Sequence, residues 1–214
     1  MDTHGIQVRK CVRAECGMRF PQLQSDQHGK RCPACGASTR IVLERIIPPE
    51  SGGELKTYHN IQIEAMLDNI RSAWNVGSMF RTADGVGIRY MHLCGLTPTP
   101  ENPKVAKTSL GAEVSIPWLS YRDGVRTAGE LKEKGMRLWA LEHNPGATSM
   151  LELQDIPADT SIVLVVGNEI AGVDPGILEL CERVIYLPMI GFKRSYNAAV
   201  AFGIAAHYLR FAVP

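Results

Sequence analysis

"SIVLVVGNEIAGVDPG", residues 161–176, decides the fold. From Ile162 to Val166 every side chain is apolar, and most are Val or Ile. A strand with one face in water alternates apolar and polar side chains; one that is apolar throughout is covered on both faces. The run stops at Gly167-Asn168-Glu169, with Gly172 close behind. A glycine at that stop lets a ligand or another backbone come close. Taken alone, the stop also fits an ordinary strand-to-helix turn.

The same pattern recurs on either side. Strands are predicted over 63–67, 90–94, 116–121, 138–141, 162–166 and 184–187, and helices over 76–85, 125–134, 175–181 and 196–210. Buried strands alternating with helices predict an α/β domain with a mostly parallel sheet. In such sheets ligands bind beyond the carboxyl ends of the strands. Two more segments put polar residues there. In "LDNIRSAWNVGSMFRTADGVG" (67–87), Asn75 and Gly77 sit where a loop enters a helix, and Arg81 follows Gly77 by one turn. Asn75 is expected to cap the helix and Arg81 to point back along the same face. In "LPMIGFKRSYNAAVAFG" (187–203), Pro188 and Gly191 make a turn, and Lys193, Arg194, Ser195 and Asn197 follow it. Ser195 is a good N-cap for the Ala-rich helix, or one wall of a ligand pocket.

The 214 residues suffice for one large domain plus a small appendage, with 45% hydrophobic and 21% charged residues. A body of this size buries roughly 70% of its unfolded surface and needs no disulfides. No run of about 18 apolar residues is present, and "MDTHGIQVRK" lacks the apolar centre of a signal peptide, so a cytoplasmic home is expected. The net charge of +1 hides an asymmetry: residues 1–47 carry eight Lys/Arg against four Asp/Glu.

Four of the six cysteines, Cys11, Cys16, Cys32 and Cys35, fall in that basic stretch as C-x4-C-x15-C-x2-C. In a reducing compartment, two close pairs at this separation predict a tetrahedral thiolate zinc site. Gly17 and Gly36 follow the second cysteine of each pair, where the backbone must turn tightly. The first pair has four intervening residues instead of two, a looser match. Bound zinc supplies on the order of 10–16 kcal/mol to a small finger. Arg9, Lys10, Arg13, Arg19, Lys30 and Arg31 flank the cysteines and suit phosphate contacts; a ribbon that only supports structure or contacts a dimer mate also fits. Cys94 and Cys181 lie in apolar surroundings and are expected to be buried. "IIPPESGGELK" (46–56) reads as a linker, which divides the chain into a ribbon at 1–47, a linker at 48–58 and a main domain at 59–214.

No G-x-G-x-x-G follows the first strand of the main domain, and the chain holds no G-x-x-x-x-G-K-[ST], G-x-S-x-G or H-E-x-x-H, which leaves dinucleotide, P-loop, hydrolase and zincin sites unsupported. The three strand-end segments, in order, instead resemble the motifs of the SPOUT methyltransferases, and most closely the SpoU/TrmH branch. "NVGSMFRTAD" carries the first, "VVGNEIAGV" the second and "LPMIGFKRSYNAAVA" the third; "KTSLGAE" (107–113) looks like the stretch between the first two. The resemblance covers roughly residues 60–214.

That resemblance implies a C-terminal trefoil knot, a homodimer with its active site at the subunit interface, and methyl transfer from S-adenosylmethionine to a ribose 2′-oxygen of tRNA or rRNA. It implies cofactor contacts at Leu141, Gly167, Leu187, Ile190 and Tyr196, largely through backbone. It implies catalytic roles for Arg81, supplied by the partner subunit, and for Asn75, Glu169, Ser195 and Asn197. Glu169 is expected to fix either the loop or Arg81. The family usually has Ser-Leu-Asn where this chain has Ser195-Tyr196-Asn197, which alters the pocket but spares a backbone contact. A base-methylating enzyme of the same class and an inactive RNA-binding protein with the same fold are the alternatives.

Overall fold

The computed structural model describes residues 5–26, 28–46, 61–154, 156–157, 159–193 and 195–212. The expected linker at 48–58, and Arg194, lie outside them. Two compact units are present, Met1–Leu55 and Lys56–Pro214.

The first unit is a three-stranded antiparallel sheet in the order β2-β1-β3, made of β1 (Gly5–Cys11), β2 (Arg19–Leu23) and β3 (Thr39–Ile46). Its strands lead into two tight turns that carry the cysteines; Gly17 and Gly36 donate to Arg13 O at 2.9 Å and Cys32 O at 2.8 Å.

The second unit is built on seven strands: β4 (Gln62–Asp68), β5 (Met91–Cys94), β6 (Trp118–Tyr121), β7 (Arg137–Leu141), β8 (Thr148–Ser149), β9 (Ser161–Val166) and β10 (Arg183–Tyr186). Their order is β6-β5-β4-β9-β7-β10-β8, and every pairing is parallel. The helices are α1 (Ala73–Val86), α2 (Pro103–Ser109), α3 (Ala112–Ser115), α4 (Gly124–Glu133), α5 (Pro175–Leu180) and α6 (Ala198–Phe211).

β9, apolar from Ile162 to Val166, sits near the centre and feeds two cores. Ile162, Leu164 and Val166 pack with Phe80 of α1 and Phe202 and Leu209 of α6; Val163 and Val165 pack with Ala128 of α4 and Ile177 of α5. Burying both faces explains why the strand is apolar throughout. Arg210, near the end of α6, donates to Val86 O (2.9 Å), Gly87 O (2.9 Å) and Ile61 O (2.6 Å). It thereby satisfies carbonyls at the C-terminus of α1 that have no partner within the helix. Cys94 is buried as expected, and Cys181 is half-buried. Among the described residues no helix is long and apolar enough to cross a membrane.

Candidate active site

Three loops leave the carboxyl ends of the strands and meet. Asp68 ends β4 and Val166 ends β9, two neighbouring strands in register. Beyond β9, Asn168 and Gly172 exchange backbone hydrogen bonds of 2.9 Å each way and fold the second motif into a tight turn. Gly167 is required there: a Cβ on it would lie 2.2 Å from Val173 N. Asn168 Nδ2 donates to Asn69 O at 2.7 Å and so ties this turn to the loop after β4.

Glu169 then reaches across to that loop. Its carboxylate accepts from Arg71 N (2.9 Å), Ser72 N (3.1 Å) and Asn75 Nδ2 (2.9 Å). Burial would raise its pKa; the donors from Arg71, from its own backbone, from Asn75 and from Ser72 outweigh that and hold it below the usual carboxylate range. Asn75 Oδ1 in turn accepts from Asn197 Nδ2 at 3.1 Å. A continuous chain, Glu169 to Asn75 to Asn197, therefore links the three segments singled out in the sequence.

Two capping assignments need correction. Ser72, not Asn75, caps α1, accepting from Asn75 N at 3.3 Å; the helix begins three residues before the predicted start at 76. Asn197, not Ser195, caps α6, accepting from Ala199 N (2.9 Å) and Val200 N (3.3 Å). Both exchanges leave polar groups for the site. Asn75 is released to join Glu169 to Asn197, and Ser195 faces the cleft.

That cleft holds about 540 Å³. Leu141, Gly167, Leu187, Tyr196, Ser195 and Asn197 all line it, as does Glu169. Ile190 does not; it is wholly exposed on the turn after β10. Arg81 does not line it either. It lies with Ser78, Lys107 and Thr108 around a second recess of about 500 Å³. At 100° per residue, six residues carry Arg81 about 240° around the helix from Asn75, whereas four return it to the face of Gly77. Glu169 accordingly holds the loop before α1, and its bonds do not include Arg81.

Two acids escaped the sequence reading. Glu142, just past β7, lines the cleft and accepts from Val173 N at 3.0 Å and His143 N at 3.1 Å. Asp68 accepts from Asp174 N at 2.9 Å, and burial pushes its carboxyl above the usual range. Their position at strand ends was the available signal.

In the first unit the sulfurs of Cys11, Cys16, Cys32 and Cys35 lie within 4.8 Å of one another. The pairs Cys11–Cys35 and Cys16–Cys32 are 3.6 and 3.7 Å apart, too far for a disulfide. Zinc–sulfur bonds of about 2.3 Å in a tetrahedron put sulfurs roughly 3.8 Å apart, so the four residues fit a tetrathiolate metal site.

A parallel sheet with its strand-end loops gathered around a cleft defines an α/β protein whose ligand cleft lies beyond the carboxyl ends of its strands. The SpoU rRNA Methylase family model matches residues 62–207, and the chain belongs to that family. Among its relatives is the 23S rRNA (guanosine(2553)-2'-O)-methyltransferase RlmP of Bacillus subtilis, 34% identical over 145 residues, which are 68% of this chain and 56% of that protein. The chain spans about half the length of the curated relatives it matches. Two solved structures share the fold. One is an AdoMet-bound rRNA methyltransferase from Sinorhizobium meliloti, with TM-score 0.63, 24% identity, and coverage of 68% of this chain and 54% of that one. The other concerns 2-OH methylation of C/U34 on tRNA, with TM-score 0.58, 26% identity, and coverage of 70% and 93%.

Proposed function

We propose that this chain is an S-adenosylmethionine-dependent RNA methyltransferase acting on a ribose 2′-oxygen of rRNA or tRNA. The observation that carries the reading is the Glu169–Asn75–Asn197 chain, which binds all three motif loops together beside an open cleft. Leu141, Gly167, Leu187 and Tyr196 are assigned to hold S-adenosylmethionine. The cleft supports this through its size, its mixed lining and the close backbone approach at Gly167. The C-terminal trefoil knot belongs to the same proposal.

The bound cofactor supplies a methyl group on a sulfonium. The reaction forms a bond between the 2′-oxygen and that carbon, breaks the carbon–sulfur bond and releases the hydroxyl proton. Alignment of two reactants is a large part of the gain in such a displacement. Asn75, Ser195 and Asn197 orient the ribose, and Glu169 keeps Asn75 in place. A guanidinium with a pKa above about 12 is a poor base, so Arg81 holds the target phosphate and stabilises the developing oxyanion. The phosphate or a water takes the proton. Because Arg81 lies outside the cleft of its own chain, we assign it to the cleft of a partner subunit in a homodimer. Exposed Trp74 on α1 and Val200 and Ile204 on α6 support such an assembly.

The four cysteines would hold a structural zinc in an RNA-facing ribbon, and their thiolates require the reducing cytoplasm. Arg81→Ala tests the catalytic assignment. The variant is expected to transfer no labelled methyl group while binding the cofactor with unchanged affinity. Equal transfer by variant and wild type would overturn it.

A further inference from the structure

The first unit has two unlike faces. Residues directly opposite across strands share a face, and the register places Arg19 of β2 opposite Lys10 of β1, and Lys10 opposite Arg40 of β3. Three cations thus form one row across the sheet at its cysteine end. The next row on this face is Pro21, Val8 and Leu43, and the one after it Leu23, Ile6 and Arg45. A bulge between Val8 and Arg9 maintains that alternation by taking up Val42 on β3. No acid occurs in the three rows. Arg19, Arg40, Pro21, Leu23, Leu43 and Arg45 are exposed.

The opposite face is covered over β1, while Ile41, Glu44 and Ile46 of β3 stay exposed on it. Gly29 is buried under it and accepts from Thr39 Oγ1; Arg9 donates to Thr39 Oγ1 at 2.8 Å, and Gln7 is buried. Among the described residues, Lys10, Arg19 and Arg40 form no ion pair.

Like charges directly opposite on a sheet destabilise it. A row of three with no acid beside it matches a polyanion, and the apolar rows behind it match sugars and base faces. A second copy is a poor occupant, because isologous pairing would bring the four cations of one face (Lys10, Arg19, Arg40, Arg45) to a face with the same cations and no acid. We propose that this open face of β2-β1-β3, with Lys10, Arg19 and Arg40 as its phosphate row, grips the RNA backbone. The inference rests on the reading of the chain as an RNA-modifying enzyme and specifies where and how it holds that partner.

The test uses the full-length metal-loaded protein and a fluorescent oligouridylate of about 20 nucleotides, with anisotropy measured between about 50 and 200 mM salt. Replacing all three residues with Ala is expected to lower the slope of log affinity against log salt by about 2, at about 0.7 per phosphate. Affinity at the lowest salt should fall at least about tenfold, with metal content and cofactor affinity unchanged. Arg19→Lys with Arg40→Lys should keep the slope, and so should Arg126→Ala, which removes a cation paired with Glu130 on α4. If the triple variant loses its metal, Arg40→Gln alone should lower the slope by about 0.7. Unchanged slope and affinity in a folded variant overturn the proposal, and so does a change confined to oligomeric state. A lost slope in a protein that transfers no methyl group keeps the face and removes the enzyme reading; methyl transfer with an unchanged slope does the reverse.

Discussion

At the residue scale, Glu169 organises the site by accepting three donors from the loop and first turn of α1. Its folded pKa is depressed, so its contribution to stability is present above the ordinary carboxylate pKa of about 4.3 and is lost as pH falls through the lowered value. Glu169→Gln should therefore weaken the acid dependence of unfolding, measured by urea titration from about pH 3 to 7. Activity should fall about a hundredfold through misplacement of Asn75, with cofactor affinity retained. An unchanged acid limb and unchanged activity would remove Glu169 from this role. Asn75, Glu169 and Asn197 were legible as site residues because each is a polar group at a strand or helix boundary. Their mutual bonds were not legible, since Glu169 and Asn75 are brought together across 94 residues. Ser72 and Asn197 as caps were missed because Ser and Asn serve almost equally well there, and packing chose between neighbours.

At the element scale, α1 depends on its approach to α2. A Cβ on Gly77 would lie 1.9 Å from Thr108 Oγ1 and 2.4 Å from Val105 O. Gly77→Ala should cost about 1–3 kcal/mol, read by urea unfolding, as overpacking does elsewhere. Adding Thr108→Ala should restore only part, because the Val105 carbonyl remains; full restoration would mean that the side chain alone sets the helix spacing. The six predicted strands of the main domain each recur within two residues at either end. In β4, β5, β7 and β9 burial on both faces writes apolar runs into the sequence, whereas β6 and β10 are only partly buried. The short α2, α3 and β8 were not predicted. α2 and α3 bury only Val105, Ser109 and Ala112, and β8 spans two residues, so none writes an apolar pattern into the sequence. The ribbon's three strands also escaped, because one of their faces is open and their alternation mixes Lys and Arg with Ile and Val.

At the scale of the whole molecule, two units are present: one with a seven-stranded parallel sheet carrying the cleft, and one with a three-stranded sheet carrying the four cysteines and the cationic row. The family was legible because three motifs stand in order at three strand ends, a conjunction much more specific than any one of them. Arg81 lies outside the cleft of its own chain, beside Lys107 and Thr108, in keeping with the resemblance that assigns it to a partner subunit. The central claim is methyl transfer to a ribose. Its most direct test incubates the protein with labelled S-adenosylmethionine and with tRNA and rRNA from cells lacking it, then digests the RNA and separates nucleosides by mass spectrometry. Label on a ribose 2′-oxygen is the predicted result. Label on a base, or cofactor binding with no label in either RNA, would contradict it.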